Sequence, residues 1–225
     1  MEFQTATIKN IVRMTPNTNH FLLQTDSTLD YKPGQHVVIK ADIDGEEVMH
    51  PYTMTNLPGT DKICLAIKEY DEGTLSVYMN ERSKGDTVRV SEPKGNLHIR
   101  DYDNDVVFIS TGTGATPMIA MLREYVRKGT GNAYYMHGEK DPDHAFFKQI
   151  LDHVEAENDK VKTLYSYSDS DEGRHGHIQN HLNSFLSDYD KDFYVCGVPE
   201  MVVETKQKLK KEASTVYSEG WEENV

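Results

Sequence analysis

The chain has 225 residues, enough for one large domain or two small ones. Its 37 acidic and 24 basic residues give a formal net charge of −13, which argues against nucleic acid and anionic membranes as main partners. No apolar run approaches the roughly 20 residues that span a bilayer. The N-terminal MEFQTATIKN lacks a leader pattern, and Cys64 and Cys196 form neither C-x-x-C nor zinc spacing, so a reduced, cytoplasmic protein is expected.

The first hundred residues read as short strands. Thr5 to Met14 alternates around Ile8 and Val12, and Phe21 to Gln24 follows the turn Thr15-Pro16-Asn17. Tyr31-Lys32-Pro33-Gly34 turns into the strand Gln35 to Ala41. Asp44-Gly45 marks a hairpin to Val48–Thr55. After the turn Asn56 to Gly59, Ile63 to Tyr70 alternates with period two. Leu75 to Arg82 has helical spacing, and Lys84-Gly85-Asp86 leads into the strand Thr87 to Ser91. Short strands with regular turns predict an antiparallel Greek-key β-barrel over residues 1–101.

The pattern changes at the acidic linker Asp101 to Asp105. Strands are expected at Val106–Ser110, Ala133–Gly138, Val161–Tyr167, Asp192–Cys196 and Thr215–Tyr217. Helices are expected at Pro117–Arg127, His144–Glu157, Ile178–Leu186 and Pro199–Glu212. This alternation predicts a parallel-sheet α/β nucleotide-binding domain over residues 102–225. Ligands of such sheets bind beyond the carboxyl ends of the strands.

Val106 to Leu122, VVFISTGTGATPMIAML, is the stretch around which the rest is organised. An apolar strand runs into Thr111-Gly112-Thr113-Gly114-Ala115-Thr116, and Pro117 is expected at the first helical position. Strand, glycine turn and helix N-terminus in that order build a phosphate cradle. The pattern is G-x-G-x-x-P, which differs from the dinucleotide fingerprint G-x-G-x-x-G.

Three further segments join this loop. They are His50-Pro51-Tyr52-Thr53-Met54-Thr55-Asn56, Gly73-Thr74-Leu75-Ser76 and Cys196-Gly197-Val198-Pro199-Glu200-Met201. Together, in this order and over nearly the whole chain, the four resemble the ferredoxin–NADP reductase superfamily, nearest its two-domain, cytochrome-b5-reductase-like and bacterial members. The resemblance implies a flavin barrel followed by a nicotinamide domain, with hydride passing from nicotinamide C4 to flavin N5 at the domain interface.

Residue by residue, His50 to Thr53 is similar to the family's Arg-x-Tyr-Ser/Thr. Tyr52 is then implied to lie against the flavin ring and Thr53 to hydrogen-bond near N5, roles that suit an aromatic face and a hydroxyl. His50 replaces the arginine that holds the flavin phosphate. A histidine offers one donor per ring nitrogen, so flavin affinity is expected to be weaker and pH-dependent, with FMN open beside FAD. Gly73-Thr74-Leu75-Ser76 resembles G-x-x-S, whose helix start faces the flavin diphosphate. Read alone, it is a helix N-cap at Thr74 or Gly73. Thr111, Gly112, Thr113, Gly114, Thr116 and Pro117 match the nicotinamide nucleotide loop. Cys196, Gly197 and Pro199 match C-G-x-P-x-M, which implies Cys196 beside nicotinamide C4 as a shaping group. Thr53 and Cys196 are thus the implied catalytic positions.

Cofactor choice rests on the loop Ser168 to His177. Asp169 and Asp171 would repel a 2′-phosphate, whereas Arg174 and His177 would attract one, and the balance favours NADH over NADPH. Trp221 is expected either to cover the flavin or to anchor the tail. His177 and His181 stand at i, i+4 but lack further ligands and read as solvated, so no metal is expected. Lys206, Lys208, Lys210 and Lys211 form a basic run, either a solvated face or a dock for an acidic carrier. No iron–sulfur cysteine set is present, so the acceptor is expected to be separate: ferredoxin, flavodoxin or an oxygenase component. A subunit of a larger redox complex, or a nucleotide-binding regulator that has lost the flavin, are the alternatives.

Overall fold

The computed structural model describes residues 1–210 and 215–219. It divides into two units, Met1–His98 and Ile99–Val225.

In the first unit, β1 (Phe3–Thr15) and β2 (Thr18–Thr25) form a hairpin around Pro16 and Asn17. Register shifts at Ile8/Asn10 and Arg13/Thr15 bend this pair, as an extra residue in one strand does. Next come β3 (His36–Ile43) and β4 (Glu46–Thr53), joined by Asp44 and Gly45 with φ of 55° and 83°. That is the left-handed hairpin turn an Asp-Gly pair favours. β5 (Lys62–Lys68), helix α1 (Thr74–Asn80) and β6 (Thr87–Ser91) complete the unit. The strand order is β4-β3-β6-β1-β2-β5, antiparallel throughout. The ends meet: Met54 bridges Leu65, and the Thr55 N–H donates to Cys64 O at 2.9 Å. A sheet closed this way is a barrel without free edges at the seam. Ala6, Ile8, Phe21, Leu23, Val37 and Ile39 fill it, all fully buried.

In the second unit the strands are β7 (Val106–Thr111), β8 (Ala133–Glu139), β9 (Val161–Tyr167), β10 (Arg174–His175), β11 (Asp192–Cys196) and β12 (Thr215–Tyr217). The helices are α2 (Ala115–Lys128), α3 (Lys148–Glu157), α4 (Leu182–Phe185) and α5 (Pro199–Leu209). The sheet is parallel in the order β10-β9-β8-β7-β11-β12. Val106 to Ile109 are wholly buried because both faces of β7 are covered. Val107, Ile109, Met136, Phe193 and Val195 pack under Ile178, Leu182, Met201 and Val202. On the other face Phe108 lies between Tyr135 and Tyr194, centroids 6.3 and 5.6 Å away.

Three helices depart from expectation. The segment His144–Glu157 is a 3-10 turn, Pro142–His144, followed by a break and then α3. Phe147 takes φ 65° at the break, and Phe146 and Phe147 are both buried. Adjacent residues on a helix point about 100° apart, so a surface helix would not bury both rings. Ile178–Leu186 begins as 3-10 turn Ile178–His181 and yields only four α-helical residues. The last helix ends at Leu209, and its expected end at Glu212 lies outside the described residues. Among the described residues no helix is long and apolar enough to cross a membrane.

Candidate flavin and nucleotide sites

The parallel sheet reverses its direction of growth between β7 and β11. In open α/β sheets the crevice beyond such a switch point is where ligands bind. Both sequence motifs of this unit sit there. β7 ends at Thr111 and β11 at Cys196.

The turn after β7 is tighter than expected. Gly112–Gly114 is a 3-10 turn that runs directly into α2, so Pro117 is the third residue of the helix and not its first. Proline is tolerated there because first-turn N–H groups lack intrahelical acceptors. The Thr116 hydroxyl donates to Thr113 O at 2.8 Å and closes the turn. Gly114 is buried against the other motif: a Cβ there would overlap the Cys196 carbonyl and lie 2.7 Å from Gly197 N. A Cβ on Gly197 would come within 2.9 Å of Thr111 N and 2.7 Å of Met201 Cε. Thr111 Oγ1 accepts from the Val198 N–H at 3.1 Å. The two loops therefore meet backbone to backbone. Gly112, in contrast, turns at φ 53° with only Glu139 Oε1 near the position of a Cβ, at 3.8 Å. That open turn, with no side chain capping either helical start, fits a dinucleotide diphosphate. Cys196 is half-buried, and Pro199 opens α5 behind the exposed Val198.

Asp169 is exposed after β9, two strands from β7. Its N–H donates to Lys140 O at 2.8 Å, which pins the start of the acidic loop. Asp171 and His177 are exposed on either side of β10, whose Arg174 is exposed as well.

In the barrel, His50, Pro51, Tyr52 and Thr53 close β4. His50 is exposed; the other three are half-buried. Tyr52 packs on the barrel core. Burial, and then Tyr70 nearby, push its hydroxyl up to about 12, so it stays protonated at neutral pH. Gly73 is the N-cap of α1, with no side chain capping the helix. A Cβ there would overlap Ser76 Oγ and lie 3.1 Å from Tyr70 O. Leu75 is 1% exposed in the core, so it offers a ligand only backbone. Ser76 Oγ is buried with no hydrogen-bond partner. A buried hydroxyl left open beside an uncapped helix start fits a flavin phosphate. The open groove along α1, about 620 Å3, also reaches Gly73 and Thr74 but is lined by Asp42, Asp44, Asp71, Glu72 and Glu81, so its charge opposes a phosphate and the fit at this helix start rests on the Ser76 hydroxyl alone.

Sequence reasoning missed two neighbours. His36 is the cross-strand partner of Thr53. Burial first and Lys94 second lower its pKa, which favours the neutral ring. Tyr70 interacts electrostatically with Tyr52. Alternation within one strand cannot reveal a cross-strand pair. Trp221 lies outside the described residues.

Residues 5–99 match the oxidoreductase FAD-binding domain and residues 108–207 the oxidoreductase NAD-binding domain. NADH-cytochrome b5 reductase 1 of Eremothecium gossypii is 30% identical over 202 residues, covering 83% of this chain and 70% of the relative. A Bacillus subtilis flavohemoprotein is 28% identical over 82% of this chain, which spans 50% of that relative's length. The fold matches that of a ferredoxin NADP+ reductase from Neisseria gonorrhoeae with TM-score 0.86 at 18% identity, covering 97% and 99% of the two chains. The chain belongs to the ferredoxin–NADP reductase superfamily of FAD- and NAD-binding oxidoreductases.

Proposed function

We propose that the chain is an NADH-oxidising flavoprotein reductase that delivers electrons to a separate acceptor protein. The carrying observation is the interlock of Thr111–Gly114 with Cys196–Val198 at the switch point, in a chain that also holds the Tyr52-Thr53 strand and the open Ser76 hydroxyl. A bound flavin accepts hydride from nicotinamide and can release its electrons singly. The protein supplies placement. The Tyr52 ring offers a stacking face, Thr53 a hydroxyl for the redox end of the flavin, and the Gly112 turn backbone N–H groups for the dinucleotide. Cys196 shapes the nicotinamide end of the crevice.

An oxygenase component, ferredoxin or flavodoxin is the acceptor class. The similar glycine betaine monooxygenase reductase subunit of Chromohalobacter salexigens, 27% identical, supports a reductase that serves a partner. Anaerobic titration with NADH tests the core of this reading. A yellow holoprotein should bleach with one equivalent. A chain that stays colourless after FAD or FMN is added would end it.

The exposed carboxylate of Asp169 supports NADH. Asp169→Arg replaces repulsion of a 2′-phosphate with attraction. Preference should move toward NADPH by roughly tenfold, up to about twice the scale of a single exposed charge pair, because one repulsion is lost and one attraction gained. An unchanged ratio of kcat/KM for the two nucleotides would place selectivity elsewhere.

A further inference from the structure

The motif His50 to Asn56 runs past the end of the flavin strand, and its last two residues build a seam that the proposed reaction does not use. β4 pairs with β3 along its whole length, from Ile43↔Glu46 to His36↔Thr53. On the other side, just past β4, the chain meets β5 at the isolated bridge Met54↔Leu65. The Thr55 N–H adds one bond, to Cys64 O. Side chains then take over. Asn56 Oδ1 accepts from the Cys64 N–H at 2.7 Å, and the Asn56 amide donates to Lys62 O at 2.9 Å. The Tyr31 hydroxyl donates to Asn56 O at 3.1 Å.

A side-chain tie crosses this seam. Thr55 is 0% exposed. Its hydroxyl lies 3.2 Å from Cys64 O and 2.8 Å from His20 Nε2. His20 stands on β2, along the opposite edge of β5, where Ala66 is its register partner. Ile63, Leu65 and Ile67 belong to the barrel core, so alternation places Cys64 and Ala66 on the outer face. The imidazole reaches Thr55 over β5, past the small side chain of Ala66. A hydroxyl has one proton, and a backbone carbonyl only accepts. Both contacts are made at once when Thr55 donates to Cys64 O and His20 Nε2–H donates to Thr55.

We propose that His20 and Thr55 are positioning residues for flavin reduction: their tie, through β2, β5 and the end of β4, sets where Tyr52 and Thr53 stand. The proposal rests on the reading of Tyr52-Thr53 as the flavin strand. One residue separates Thr53 from Thr55, so a shift of the seam passes directly to the hydroxyl meant for the redox end of the flavin. A misplacement of about 1 Å can cost on the order of a hundredfold in rate. Closing the barrel does not call for this tie. The bridge and the Thr55 N–H bond are made by backbone, and a valine at this position would fill similar space with no buried hydroxyl to satisfy.

The test uses the flavin-loaded chain. Thr55→Val removes the hydroxyl, and His20→Leu removes the donor. Each should slow reduction of the bound flavin at saturating NADH about tenfold, a fraction of the full misplacement effect. NADH KM should change little, because the nicotinamide motifs lie in the other unit. Thr55→Ser and His20→Gln, which keep the hydroxyl and a donor, should recover most of the rate. The double variant should be no slower than either single one, since both break the same tie. Visible circular dichroism of the flavin should change in step with the rate, a response that lowered stability alone does not produce. If His20→Leu fails to fold, Thr55→Val, which exchanges one hydroxyl for a methyl, carries the test. Earlier melting with a wild-type reduction rate would leave the tie a structural role and overturn the proposal, as would additive losses in the double variant. Flavin affinity of Tyr52→Ala separates the two ways of failing. If that affinity falls while the tie variants reduce normally, the tie alone is overturned. If it is unchanged, the flavin-strand reading falls, and the tie's role with it.

Discussion

Gly114→Glu should abolish NADH-driven bleaching while the protein remains yellow. Even a Cβ at this position overlaps the Cys196 carbonyl, and a carboxylate would add negative charge where a diphosphate is to sit. The loops would be driven apart at a cost of about 1–3 kcal/mol, typical of overpacking. The flavin barrel lies in the other unit, Met1–His98, so its absorbance reports folding and loading independently. Gly114→Ala should give a weaker form of the same defect. The measurement is NADH titration by visible absorbance, and a wild-type KM in the glutamate variant would remove the glycine loop from the site.

Tyr52→Ala should raise the flavin dissociation constant roughly tenfold or more, since aromatic pairing contributes about 0.5–1.5 kcal/mol beyond simple burial. The side chain packs on the barrel core, so the alanine variant should also melt earlier. Tyr52→Phe separates the two effects. The hydroxyl stays protonated at neutral pH, so phenylalanine removes one polar atom and leaves the stacking face. Its affinity should stay within about threefold of wild type. Fluorescence titration of the apoprotein with FAD and FMN measures both variants. Equal affinities for Tyr52→Ala and wild type would take Tyr52 out of the flavin site.

Much of the fold was legible because its signals are local. Alternation around Ile8, the Asp44-Gly45 turn and the apolar run Val106 to Ile109 each follow from a few neighbouring residues. The strand–turn–helix at Thr111 and the strand end at Cys196 were readable for the same reason. Features made by tertiary contact were not. The break at Phe147 accompanies the burial of two successive rings, Phe146 and Phe147. The 3-10 turn Gly112–Gly114, which moves Pro117 two places into the helix, ends at the glycine that meets the Cys196 loop, a neighbour far away in sequence. His36 beside Thr53 and the Ser110–His137 pair join residues on different strands, and no spacing rule links them.

The contact between Thr111 and Val198 has a kinetic meaning. It joins positions 87 residues apart, and the Gly114–Cys196 approach is of similar span. Loop-closure entropy must be overcome before such contacts contribute, so they belong late in folding. The glycine turn is local in sequence, but its nucleotide-ready shape is not, because β11 supplies the wall against which it is pressed. A growing chain that has not yet reached β11 therefore has the motif without the site. On the proposed site, nucleotide binding is expected only once the central pair of the sheet is complete, which would make it a reporter of the final step of assembly in this unit.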